Sequence, residues 1–127
     1  MNEDFVTYEL AVKLKEKGFD EPCYGYYHCN GGNDSFELCG NGDRDFQNSK
    51  NQYRVAAPTI PQVLKWLREE KRIDAGAVWD NRDGKWIGYI NEMDMPDLVG
   101  EYVLPNTYDA YELAALAGIE YVLYNLI

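Results

Sequence analysis

Ala75-Gly76-Ala77-Val78-Trp79-Asp80-Asn81-Arg82-Asp83-Gly84-Lys85-Trp86-Ile87-Gly88-Tyr89-Ile90 decides the class of the fold. Two strand-like runs, 75–79 and 85–90, flank a short stretch of Asp, Asn, Arg and Gly. Asp and Asn bond their own local backbone and Gly accepts positive φ, so the stretch reads as a reversal. Strands joined by so short a turn pair antiparallel. Just before this hairpin stands the strongest periodic signal in the chain. Thr59-Ile60-Pro61-Gln62 is a Thr-x-x-Gln capping box with proline in the first turn. Ile60, Val63, Leu64 and Leu67 recur at i, i+3, i+4 and i+7, which buries one helical stripe.

The same logic extends towards both ends. Thr7 is an N-cap for a helix over 8–17 that Gly18 stops, with Leu10, Ala11 and Leu14 as its buried face. Residues 23–29 and 36–39 read as strands around the turn-forming loop Asn30-Gly31-Gly32-Asn33-Asp34, and 52–57 reads as a third strand after a polar loop over 40–51. A short final strand is expected over 100–104. A last helix is expected from an N-cap at Thr107 to about Leu126, with Ala110, Ala114, Ala115, Ala117 and Gly118 small enough to let it approach a sheet closely. The order α, β-meander, α, β-hairpin, α predicts an α+β fold: a mostly antiparallel sheet with three helices packed on one face. A length of 127 residues suits one domain, and 1–127 is read as such.

Several stretches together resemble a known group. Phe5-Val6-Thr7-Tyr8-Glu9-Leu10-Ala11 through Gly18-Phe19-Asp20-Glu21-Pro22-Cys23 is one. Ala57-Pro58-Thr59-Ile60-Pro61-Gln62-Val63-Leu64-Lys65-Trp66-Leu67-Arg68-Glu69 is another, and Tyr108-Asp109-Ala110-Tyr111-Glu112-Leu113-Ala114 a third. They cover about half the chain and resemble small uncharacterised proteins common in gut bacterial and bacteriophage genomes. Members of that group usually carry a shorter or different segment where residues 30–51 stand here. The shared segments are caps and amphipathic helices, so the resemblance implies no activity, cofactor or catalytic residue.

Charge narrows the choice of partners. Twelve Lys and Arg against 22 Asp and Glu give a formal net charge of −10, which disfavours DNA or RNA, since phosphate neutralisation by cations supplies most of that affinity. The one locally basic stretch, Lys65, Arg68, Lys71 and Arg72, is interrupted by Glu69 and Glu70. Residues 80–112 hold eight carboxylates and two bases, a surface suited to solubility, to a basic partner or to imitating nucleic acid. No apolar run approaches the ~20 residues that span a bilayer, so no membrane partner is expected. The acidic start Met1-Asn2-Glu3-Asp4 lacks the pattern of a signal peptide, and a cytoplasmic location is expected.

No catalytic constellation emerges. Cys23, His28, Cys29 and Cys39 have the composition of a zinc site, yet no Cys-x-x-Cys knuckle, and adjacent His28 and Cys29 on a strand point to opposite faces. The cysteines read as free, packed thiols, with no metal and no cofactor. His28, the single histidine, could serve a nucleophile only across the hairpin, at Cys39. Asp80, Asp83, Glu92, Asp94 and Asp97 fall in turn-like sequence, and the Asp80–Gly84 stretch fails as a calcium loop because Trp79 and Ile90 would be its first and twelfth ligands. Gly40 and Gly42 precede a polar loop, so they form no phosphate cradle.

What remains is aromatic and apolar surface: 11 tyrosines and 3 tryptophans. Trp66 lies about 110° off the core stripe of its helix at ~100° per residue, on a flank shared with Ile73. Leu116 and Leu123 share a stripe with Glu112 and Glu120, and their cover is either the first helix or a second protomer. Trp66, Ile73, Leu116 and Leu123 are thus the expected partner-binding residues. The reading is a non-enzymatic binding or accessory domain with a protein partner or self-association. Its rivals are a small cysteine-dependent hydrolase or ligand-binding enzyme centred on residues 23–39 and an acidic nucleic-acid mimic.

Overall fold

The structure is a computed structural model that describes residues 4–40, 42–96 and 100–127. The fold is α+β with antiparallel strands, as expected, but the strands divide into two three-stranded sheets. One belongs to each of two compact units, Met1–Thr59 and Ile60–Ile127.

In the first unit, helix α1 (Tyr8–Glu16) begins where the Thr7 Oγ1 accepts the Leu10 N–H at 3.3 Å. It ends at Gly18, whose φ of 92° a side chain would resist. Leu10, Ala11 and Leu14 are buried, as the spacing predicts. Strand β1 (Gly25–His28) is central, between β2 (Glu37–Leu38) and β3 (Arg54–Ala57). Its two faces differ. Tyr27 points into the core, where its hydroxyl donates to the Val6 carbonyl and burial raises its pKa. Tyr26 and His28 point the other way. The polar 40–51 loop is pinned by Asn48, whose buried amide donates to the Phe19 carbonyl and accepts the Ala56 N–H, both at 2.8 Å.

In the second unit, helix α2 (Ile60–Glu70) is followed by β4 (Ile73–Asp80), β5 (Lys85–Glu92), β6 (Glu101–Tyr108) and helix α3 (Tyr111–Asn125). Arg72, at φ 58°, turns the chain from α2 into β4. The β4–β5 register runs unbroken from Ile73↔Glu92 to Asp80↔Lys85. The turn closes with the Gly84 N–H on the Asp80 carbonyl and the Arg82 N–H on the Asp80 carboxylate. The small residues of α3 do bring it close to the sheet. A Cβ on Gly88 would stand 3.0 Å from the Ala114 carbonyl oxygen, and one on Gly118 would stand 3.5 Å from that of Gly76.

The start of α3 departs from expectation. Thr107 is no N-cap, because β6 runs on to Tyr108 and pairs Thr107 with Ile87 and Tyr108 with Trp86. A register shift between Ile87 and Tyr89 takes up Pro105, which an edge strand tolerates since its missing N–H costs no ladder bond there. Ala110 stands at the N-cap position without a side-chain hydrogen bond. Among the described residues no helix is long and apolar enough to cross a membrane.

Candidate interaction surface

The residues singled out from the sequence for a partner lie mostly inside. Trp66 and Ile73 are each 5% exposed and Leu123 is fully buried, while Leu116 is half-buried. Trp66 instead carries the Lys71 ammonium 5.4 Å from its ring centroid. Leu123 is covered within the chain itself, so of these four only Leu116 retains surface for a contact.

Exposed aromatic surface gathers elsewhere, at the turn end of the β4–β5 hairpin. Trp79 and Trp86 are cross-strand partners with ring centroids 5.2 Å apart. Tyr111, in the first turn of α3, sets its ring edge-on to Trp86 at 5.3 Å. Edge-to-face geometry places positive ring edges against negative faces and holds the three rings in a row. Trp79 is 50% exposed and Tyr111 39% exposed. Four carboxylates lie close to the row in the chain: Asp80 and Asp83 in the turn, Asp109 and Glu112 on either side of Tyr111 in sequence. Lys85 is paired with Asp109, which holds that carboxyl below its usual range through the hydrogen bond and then the charge. Arg82 lies 3.7 Å from Asp80.

The helix-free face of the same sheet is also open. Val78 and Val103 are exposed there, and Ile87 and Tyr89 half-buried. The Tyr89 hydroxyl donates to Asp74 at 3.1 Å; burial, then the Asp74 charge, raises its pKa. No protein-family model, curated protein or solved structure matches this chain.

The geometry gives the hydrolase reading no nucleophile–base contact. The Cys39 N–H bonds the Tyr24 carbonyl and the His28 N–H bonds the Ser35 hydroxyl. Cys39 therefore sits beside Tyr24, just before β1 and four residues from His28, roughly 13 Å at ~3.3 Å per extended residue. His28 Nε2 pairs with Glu37 instead. The thiols of Cys23, Cys29 and Cys39 each donate to a backbone carbonyl, of Glu21, Gln52 and Cys23 respectively. Among the described residues no cluster of three or more His, Cys, Asp or Glu is arranged to hold a metal ion. The turn-region carboxylates are spent locally: Asp80 on its turn, Asp94 on Arg72 and Glu92 on the Tyr102 hydroxyl. Asp97 lies outside the described residues.

The aromatic row was open to prediction. Once 80–84 is read as the turn, Trp79 and Trp86 fall opposite each other by counting outward from it.

Proposed function

We propose that this chain is a non-enzymatic binding module, cytoplasmic and accessory in character, whose partner is a protein presenting basic side chains. The observation that carries the reading is the Trp79–Trp86–Tyr111 row, half-exposed and close in the chain to Asp80, Asp83, Asp109 and Glu112. Tryptophan and tyrosine bury large area at low entropic cost and dominate interface energetics. A lysine or arginine laid on the Trp79 face gains a cation–π contact, and the neighbouring carboxylates complement its charge. The same charge argues against self-association through this surface, since two copies would bring like-charged rims together. It also argues against nucleic acid.

An array of Lys- and Arg-rich peptides with interspersed apolar residues tests the proposal. Peptides of this class should bind, and Trp79→Ser should weaken the best of them by about 2 kcal/mol while the fold stays intact. Equal binding by the variant, or capture of acidic peptides in preference, would show that the row is not the docking site.

A further inference from the structure

The outer face of the first sheet carries a cleft independent of the aromatic row. Its volume is about 340 Å³, and Tyr26, Cys39, Asp45, Phe46, Lys50 and Arg54 are among its lining residues. That volume lies in the range of small-molecule sites. Phe46 is 5% exposed and packs against Tyr26 with centroids 5.3 Å apart, which makes an apolar wall. Over the Tyr26 ring, 4.5 Å from its centroid, lies the guanidinium of Arg54.

In a chain of net charge −10, the cations here are unusual in what they lack. The Arg54 guanidinium rests on the ring and has no carboxylate partner among the described residues. Lys50 Nζ donates to the main-chain carbonyl of Asp45 at 2.7 Å, a neutral acceptor that leaves its charge uncompensated. Glu37, which shares this face, is hydrogen-bonded to His28 rather than to either cation. The carboxylate lining the cleft is that of Asp45. Among the residues that line the cleft, two cations stand against one carboxylate beside an apolar wall.

We propose that this cleft binds a small planar monocarboxylate. The carboxylate would accept paired N–H bonds from the planar Arg54 fork, which suits two coplanar oxygens, with the Lys50 ammonium as a second donor. The flat apolar part would lie along Tyr26 and Phe46. Asp45 sets the charge limit: a dianion would face it, whereas one negative charge balances the cleft.

Benzoate is the probe, titrated into the uniformly ¹⁵N-labelled full chain and followed by amide shifts. Saturable shifts at Gly40, Asn51 and Arg54 are expected, with a dissociation constant at or below about 1 mM. Arg54→Gln should weaken binding at least about tenfold. Lys50→Gln, at an exposed position, should weaken it severalfold and keeps the test available if the Arg54 variant fails to fold. Benzylamine, the same ring with the opposite charge, should leave these amides unmoved. Inorganic phosphate near pH 8 should bind more weakly than benzoate. Absence of saturable shifts, unchanged affinity on losing either cation, or tighter binding of phosphate or benzylamine would each overturn the proposal.

Discussion

Asn48 shows what a single side chain does for the first unit. Its amide is buried and meets a carbonyl from one segment and an N–H from another, so a polar side chain helps the buried Phe46 to fix the 40–51 loop. Asn48→Ala would remove the acceptor of the Ala56 N–H and a donor to the Phe19 carbonyl, both in the interior. Each such loss costs about 1–3 kcal/mol, so chemical denaturation should report about 2–4 kcal/mol of destabilisation. Asp109 offers a different test, because it sits on the surface beside Lys85. A carboxyl held below its usual range stabilises the fold above its ordinary pKa and loses that contribution as pH falls through the lowered value. NMR titration of the side chain should find its midpoint below the usual aspartate range, and Lys85→Met should move the midpoint back up towards it. A midpoint unmoved by that substitution would mean the ion pair does not form in solution.

The contact of α3 with β4 and β5 depends on glycine at two positions that respond oppositely. A methyl on Gly88 would press on the Ala114 carbonyl oxygen at 3.0 Å and the Leu104 side chain at 3.1 Å. The carbonyl belongs to a helix and cannot swing away, so Gly88→Ala should cost about 1–3 kcal/mol by overpacking. Gly118→Ala places its methyl at ordinary contact distances and gains helix propensity worth about 1 kcal/mol, so its melting temperature should hold or rise. If both variants behaved alike, the helix would not sit where these distances put it. The small-residue run of α3 was legible in the sequence, as were the cap of α1, the stripe of α2 and the β4–β5 hairpin. All of these are local: spacing and turn chemistry within a few residues determine them. The Arg54–Tyr26 stack was not legible, because β3 meets β1 across a long, irregular connection that no periodicity encodes. Trp66 and Leu123 were misjudged for a related reason. A helical wheel locates one buried stripe, but α2 buries Gln62 and Trp66 beside its stripe, and α3 is apolar almost all round.

At the scale of the molecule, the excess of carboxylates has to appear in how binding responds to salt. If a basic partner docks on the Trp79–Trp86–Tyr111 row, its approach is drawn by the nearby carboxylates and its residence is set by the rings. Charges at a rim act on the association rate and are screened over ~10 Å at 0.1 M salt, whereas a buried aromatic anchor acts on dissociation and is nearly indifferent to salt. The two contributions therefore separate. For the tightest basic peptide, affinity should fall steadily as salt rises from about 50 to 300 mM. Asp80→Asn combined with Asp83→Asn keeps turn-forming side chains and the Asp80 acceptor for the Arg82 N–H, so the hairpin should persist while the salt dependence flattens. Trp79→Ser should shift the whole salt series to weaker binding with its slope retained. A duplex DNA of any sequence should show no binding at about 150 mM salt, since the surface offers no cation array to displace its counterions. Parallel lines for the asparagine variant, or a changed slope for the serine variant, would place the partner's cations elsewhere on the molecule and remove the row from the interface.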